Sequence, residues 1–349
     1  MQEQPMVDET LDAPFTPLDE EAARVLAARL YGLDVREARR FDTERDDTFR
    51  LTAGDARFVL KVANPADDPA LVAMQCEALA HVAAVDPQVP VPRVVPDLSG
   101  AAHSVVEGAD GEPRTVRLLT FLPGRTLDYA ATTAAQRASL GRTVGRLSAA
   151  LAGFEHPAAD RVLAWDLQHV GGLRPQLEHV VDPRTRDDVA AELDRFDAVT
   201  APGLAAVRHQ VVHNDVNVDN VVVDEAGDVA GILDFGDMVR TAVVADRAVA
   251  MSYAVGADGS VADGALDPWA APYDLARGFA DVRPLEPDEL ALLPHLVRAR
   301  LAQRLLVNSW LAASNPDNAH YTARSVATAT LALRRLAAAE PPAPEGAPR

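Results

Sequence analysis

His213-Asn214-Asp215-Val216-Asn217-Val218-Asp219-Asn220 runs into Val221-Val222-Val223, and Val229-Ala230-Gly231-Ile232-Leu233 runs out to Asp234-Phe235-Gly236-Asp237. Between them Glu225-Ala226-Gly227-Asp228 supplies turn-forming residues, so two short strands, Asn220 to Asp224 and Val229 to Leu233, are predicted to pair as a hairpin. Polar residues crowd its open end. Antiparallel pairing sets Asn220 opposite Asp234, close enough for their oxygens to share one hard cation. Asp215 lies on the loop entering the first strand, near that cation position but outside it. A carboxylate so placed accepts a proton from a hydroxyl nucleophile. These are the parts that phosphoryl transfer requires: Mg2+ on a nucleoside triphosphate and a base that orients the attacking oxygen. Taken singly, each Asp or Asn is ordinary turn and cap chemistry. The ordered set is what points to function.

Working outward, the second half of the chain is mostly helical in pattern, with apolar spacing over Ala131 to Phe154, Pro183 to Val199 and Pro294 to Leu311, the last two opened by a first-turn proline. Upstream, Glu20 to Tyr31 has helical spacing and stops at Gly32, followed by the strand-like Thr48 to Thr52 and Arg57 to Val62 around Ala53-Gly54-Asp55-Ala56. Alternation puts Phe58, Leu60 and Val62 on one face and Val59 and Lys61 on the other. After Asp67-Asp68-Pro69 a helix is predicted to about Ala84, with Leu71, Met74, Ala78 and Val82 inward and Glu77 beside that stripe. Arg114 to Phe121 reads as a strand ending at Pro123-Gly124, which marks a lobe boundary.

Composition narrows the class. With 349 residues, 48% apolar and 24% charged, the chain is that of a soluble globular protein, and no run reaches the ~20 apolar residues of a membrane span. A net charge of −19 disfavours nucleic acid and anionic lipid as partners and does not oppose a cationic one, its plainest reading being solubility. The single cysteine, Cys76, and an acidic N-terminus without a targeting pattern fit the cytoplasm. Of 33 basic residues only Lys61 is lysine, which calls for a specific reason. A compact ammonium meets a phosphate as a point charge where a guanidinium fork does not fit.

The sequence resembles the aminoglycoside phosphotransferase superfamily of small-molecule kinases. The H-x-D-x-x-x-x-N motif falls on His213, Asp215 and Asn220, and the metal-binding D-F-G segment on Asp234-Phe235-Gly236. Gly236-Asp237-Met238 looks most like hydroxylysine kinase-like proteins. Phe58-Val59-Leu60-Lys61-Val62 resembles the strand that carries the ATP lysine, and Glu77 stands where its pairing glutamate is expected. The resemblance implies an α/β (α+β) two-lobed kinase-like fold: an acidic tail over 1–19, a small β-rich lobe over 20–122, a larger helical lobe over 123–336 and a disordered Ala/Pro-rich tail over 337–349. ATP would lie between the lobes, with its adenine near Val59 and the Leu119 to Leu122 connector, which includes Phe121 and Leu122. Lys61 and Mg2+ would hold the phosphates, Asn220 and Asp234 the metal, and Asp215 would be the base.

Two departures separate the chain from protein kinases. No A-P-E segment follows closely on Asp234-Phe235-Gly236, the tripeptide occurring only in the Ala/Pro-rich tail at Ala343-Pro344-Glu345, and Asn214 stands where those enzymes commonly carry Arg. Phe41 to Arg50 contains no glycine, so Asp46-Asp47-Thr48 would have to form the turn over the phosphates. His213 is read as a structural brace. For the acceptor, Trp165-Asp166 resembles a W-D-L segment near the substrate cleft of the hydroxylysine kinase-like proteins, and an aromatic beside a carboxylate holds an ammonium group. Asp237 and Arg240 are the other acceptor candidates. The expected reaction is ATP-dependent phosphorylation of a small amino-containing alcohol, hydroxylysine-like. The alternatives are homoserine or aminoglycoside phosphorylation and a catalytically silent nucleotide-binding module.

Overall fold

Helix α1 (Glu20–Tyr31) forms where its spacing predicts: Asp19 caps its start by accepting the Ala22 N–H, and Gly32 ends it at φ 66°, a backbone setting that costs glycine little. The computed structural model describes residues 16–341 apart from 42, 44–45, 109–110, 257–260, 263–264, 315–318 and 340. Most of the acidic N-terminal segment and of the Ala/Pro-rich tail lies outside the described residues.

Beyond α1 come β1 (Glu37–Arg40), β2 (Asp47–Ala53), β3 (Ala56–Val62), α2 (Pro69–Val85), β4 (Val94–Val95), β5 (Ser104–Glu107) and β6 (Pro113–Thr120). They build one antiparallel sheet in the order β1-β2-β3-β6-β4, with β5 also on β6. Strand β1 is Glu-Ala-Arg-Arg, too polar to show an apolar alternation in the sequence. One face of the sheet carries Phe49, Leu51, Leu60, Val62, Val116 and Leu118, which bury against Ala23, Leu26 and Tyr31 of α1. Each of the large apolar side chains stabilises the fold by about 1.5–3 kcal/mol on burial. The opposite face carries, side by side in register, Thr48, Lys61 and Arg117.

Helix α2 is capped by Asp68 and covers this second face. Its inward set differs from the predicted stripe: Val72, Met74, Cys76, Ala78, Leu79 and Val82 are buried, whereas Leu71 is only half-buried. The helix is enclosed on two sides. Met74, Ala78, Leu79 and Val82 join the large cluster of the following helices, while Val72 and Cys76 pack with Ala63. The core therefore runs through the chain boundary at Pro123-Gly124.

The larger part comprises β7 (Arg125–Thr126), α3 (Ala134–Ala150), α4 (Pro183–Arg195), α5 (Ala201–Leu204), β8 (His209–Val212), β9 (Val221–Val223), β10 (Val229–Ile232), β11 (Val239–Ala242), α6 (Val243–Ala254), β12 (Val261–Ala262), β13 (Ala265–Leu266), α7 (Ala270–Ala280), α8 (Pro287–Ser314) and α9 (Ala319–Ala337). The hairpin β9-β10 forms as predicted and is joined by β7, while β8 pairs with β11 beside it. Helix α8 begins at Pro287, not at the predicted Pro294, which lies inside it. Pro287 holds the first-turn place with Asp288 and Glu289 after it, where carboxylates complement the helix dipole. Helices α3 and α7 touch backbone to backbone: a Cβ on Gly141 would fall 2.0 Å from the Leu275 carbonyl oxygen, and one on Gly278 1.8 Å from that of Ala138. A buried Arg137–Asp274 ion pair at 2.7 Å closes this crossing. No helix among the described residues is long and apolar enough to cross a membrane.

Candidate active site

The loop between β8 and β9 is fixed from below before any ligand arrives. His213 is buried and its Nε2 faces the Leu233 carbonyl at 2.9 Å, so that nitrogen carries the proton and Nδ1 accepts the Asp215 N–H at 3.2 Å. Its ring meets Phe235 edge-on at 4.8 Å. One imidazole thus ties the Asp215 loop to the segment leading to Asp234, which is the bracing role its position in the sequence implies. Asp246 of α6 accepts the His213 N–H at 3.3 Å and the Asn214 N–H at 2.7 Å. Asn214 and Asp234 are the non-glycine residues with positive φ among those described, at 65° and 54°. Asn and Asp tolerate that region best, and such settings concentrate at functional sites.

Asp215 Oδ2 accepts from Asn220 Nδ2 at 2.7 Å and Asn217 Nδ2 at 2.9 Å, while Oδ1 faces Arg300 Nη2 at 3.4 Å. Burial pushes the Asp215 carboxyl above its ordinary pKa, against the opposing pull of Arg300 and the two amides. Asn220 also donates Nδ2 to the Asp215 carbonyl at 3.0 Å, which leaves its Oδ1 as the atom available to a cation. The Leu233 N–H donates to the Asn220 carbonyl at 2.7 Å, so Asn220 and Asp234 stand at the same end of the hairpin. Asp234 is half-exposed, its Oδ1 accepting the Gly236 N–H at 3.1 Å and its Oδ2 facing Lys61 Nζ at 3.6 Å. Lys61 holds its carboxyl below the usual range. Among the described residues no group of three or more His, Cys, Asp and Glu gathers as a metal site. Two hard oxygens, from Asn220 and Asp234, fit a cation that takes its remaining ligands from phosphates and water.

Lys61 does not pair with Glu77. Its Nζ stands 3.5 Å from Asp46 Oδ2, and the carboxyl of Glu77 is exposed, 3.9 Å from His156 Nε2. The α2 residue that turns toward this face is Gln75, whose Oε1 accepts from Arg117 Nη2 at 2.8 Å. Two residues on, about 200° around the helix, Glu77 points away. Thr48 shares Lys61's level on the sheet and is buried, with no hydrogen-bond partner for Oγ1 among the described residues. Val59 is half-buried against the large core cluster. Phe121 lies under the Arg57 guanidinium, 5.2 Å from the ring centre, and Leu122 lies over Gly231 of β10.

The acceptor candidates divide. Asp237 is half-buried and its carboxylate accepts no hydrogen bond from a described residue. Burial, with Asp215 and Asp234 nearby, pushes it up to about 6 against the pull of Arg161. Asp166, by contrast, is fully enclosed as a cap, accepting from Gln168 N at 3.0 Å, Gln168 Nε2 at 3.0 Å and Thr241 Oγ1 at 2.8 Å. It is not open to a substrate ammonium. The Trp165 face is occupied by the Arg300 guanidinium at 4.9 Å, and Arg240 is engaged by Asp160 at 2.9 Å.

Sequence reasoning missed Arg300, Asn217 and Asp246 around the loop, and Asp46 as the partner of Lys61. It also missed Arg161, which donates to the Gly236 and Met238 carbonyls at 2.5 and 2.9 Å and holds the loop bearing Asp237. A signal for Arg300 existed. In α8 it falls in phase with the apolar Leu293, Leu296 and Val307, with Gln303 and Arg304 as polar neighbours on the same buried face.

Comparison with known proteins gives the family and the fold. The phosphotransferase enzyme family (APH) matches over residues 37–284. The chain is 26% identical to hydroxylysine kinase of Mus musculus over 340 residues, covering 91% of this chain and 89% of that protein. It is 30% identical to homoserine kinase of Azorhizobium caulinodans over 273 residues, covering 76% and 78%. Among solved structures, amicoumacin kinase in complex with AMP-PNP, Ca2+ and its ligand superposes with a TM-score of 0.66 at 15% identity, covering 90% of this chain and 93% of that one. The chain thus belongs to the APH phosphotransferase family of small-molecule kinases.

Proposed function

We propose that this kinase transfers the γ-phosphoryl group of ATP to the hydroxyl of a small amine-bearing acceptor, an amino alcohol or hydroxylated amino acid, with a hydroxylysine-like compound preferred. The observation that carries this reading is Asp237. A half-buried carboxylate that accepts no hydrogen bond from a described residue, beside the base and beside Asp234, lacks a partner that a substrate ammonium supplies. Asp215 Oδ1 takes the proton of the acceptor hydroxyl. The oxygen bonds to the γ-phosphorus as the bond to the β-phosphate bridging oxygen breaks, and ADP leaves. Lys61 meets the phosphates, Val59 and the connector with Phe121 and Leu122 enclose the adenine, and the enzyme works in the cytoplasm. Asn220 Oδ1 and Asp234 would hold Mg2+, which when bound neutralises charge on the triphosphate. The relatives support the acceptor class, since hydroxylysine and homoserine each carry both a hydroxyl and an ammonium group. Homoserine, favoured by the Azorhizobium relative, and aminoglycosides are the second reading within the same chemistry.

A coupled assay of ATP turnover tests this, run across amino alcohols, hydroxylated amino acids, aminoglycosides and neutral polyols. Amine-bearing alcohols should stimulate turnover and polyols should not, because an uncharged acceptor leaves a desolvated carboxylate unpaired. Stimulation by neutral sugars without stimulation by amines would overturn the assignment.

A further inference from the structure

Arg300 is fully buried in α8, and the transfer just described gives it no part. Its Nη1 donates to the Trp165 carbonyl at 2.7 Å and to Gln303 Oε1 at 2.9 Å, its plane lies over the Trp165 ring, and its Nη2 reaches Asp215 Oδ1 at 3.4 Å. The segment beneath it is fastened as well. Gln303 Nε2 donates to the Ala164 and Asp166 carbonyls at 2.8 and 3.1 Å, so α8 caps three successive carbonyls from 164 to 166. Asn214 Nδ2 reaches the Trp165 carbonyl too, at 3.3 Å, and links the same point to the Asp215 loop.

The two oxygens of Asp215 are therefore treated differently. Oδ2 is committed to two amide donors, which leaves Oδ1 as the atom able to receive a proton. The charge facing Oδ1 belongs to a planar fork already pinned by a carbonyl, an amide oxygen and a ring face, so it does not swing out to follow a substrate. The Trp165-Asp166 segment acquires a role here as the anvil on which the arginine rests.

We infer that Arg300 is a positioning residue that orients Asp215 Oδ1 toward the acceptor hydroxyl through the Trp165 and Gln303 clamp, without touching substrate itself. The inference rests on Asp215 being the base, so its test separates the two. Arg300→Met and Arg300→Lys are made in the wild-type chain and in an Asp215→Asn chain. Turnover and both KM values are measured, with thermal unfolding as a check on the fold.

If Arg300 acts through Asp215, Arg300→Met lowers kcat by about 10–100-fold, the scale typical of groups that orient site residues, while KM for Mg-ATP holds within about 2-fold. Arg300→Lys, which keeps the charge and much of the packing, recovers part of kcat and remains informative should the Met variant fail to fold. In the Asp215→Asn chain either substitution costs nothing further, because groups acting as a unit are non-additive. A full additional loss in that background overturns the inference and leaves Asp215 as the base. Wild-type kcat in a folded Arg300→Met variant overturns it likewise, as does a rise confined to the KM of carboxylate-bearing acceptors, which would make Arg300 a substrate ligand. Wild-type turnover in Asp215→Asn alone overturns both this inference and the base assignment.

Discussion

The Asp215 loop and the Lys61 face of the sheet both border Asp234, yet they are built in opposite ways. Around Asp215 the polar groups are mostly spoken for: His213 bonds on both ring nitrogens, Asp246 takes two backbone N–H groups, and Asp215 Oδ2 takes two amides. Around Lys61 the contacts are loose. Its ammonium stands 3.5 and 3.6 Å from the carboxylates of Asp46 and Asp234, ion-pair distances too long for good hydrogen bonds. One region is set before substrate arrives, and the other leaves a cation free to re-pair with phosphate.

The sharpest way to break this contrast is at the base. Asp215→Asn should leave Mg-ATP affinity nearly intact and lower turnover by about 10²–10⁴-fold, the range of a positioned acid or base. A matching loss of nucleotide affinity would show that the two regions are not separable. Asp234 is the joint between them, and Asp234→Ala should abolish Mg2+-dependent nucleotide binding in calorimetry, with Asn220→Ala milder because an uncharged ligand is lost. Unchanged Mg-ATP affinity in the Asp234 variant would refute the cation arrangement.

Smaller effects sharpen the contrast from each side. Asp246→Asn replaces one of the two oxygens that accept the His213 and Asn214 N–H groups with an amide donor and should lower stability by about 1–3 kcal/mol in denaturant unfolding, together with turnover. The same measurement on Glu77→Ala should change stability by no more than about 0.5 kcal/mol and leave the KM for ATP alone, because an exposed side chain is lost. A large rise in that KM would restore Glu77 as the partner of Lys61. Asp237 gives a pH signature. Its carboxyl, pushed up to about 6, is charged above that pH and neutral below it. The kcat/KM for an amine acceptor should therefore fall as pH drops through 6 by more than the Mg-ATP affinity does, and a parallel fall in both would count against Asp237 as the ammonium site.

What could be read in advance follows the same division. His213, Asp215, Asn220 and Asp234 lie within one hairpin and its flanks, so adjacency in the chain is adjacency in space, and an ordered motif reports a site. Lys61 was legible because the chain spends its one lysine there. Its partner was not: α2 is enclosed on two sides, so its apolar pattern does not fix that Gln75 rather than Glu77 turns toward the sheet, and the carboxylate that meets the lysine, Asp46, lies just before β2. Asp166 misled for a related reason: a short carboxylate before a helical turn looks the same whether it serves ligand or cap. Arg300 lies 85 residues from Asp215 and only the packing of α8 brings them together. Strand β1 escaped because its sequence, Glu-Ala-Arg-Arg, carries no apolar alternation.

The crossing of α3 and α7 bears on how the chain acquires this site during synthesis. Arg137 and Asp274 meet across 137 residues, and Gly141 and Gly278 lock the helices at a distance that tolerates no side chain. Between those points the ribosome has already released the whole of the catalytic hairpin, motif and all. Closing so long a loop is costly in entropy and slows formation of contacts that depend on it. A nascent chain halted after Asp237 would carry every signature residue of a kinase while lacking α7, the half of that crossing still to be made. Refolding should accordingly show secondary structure appearing well before activity, with substitution of either glycine lengthening that interval.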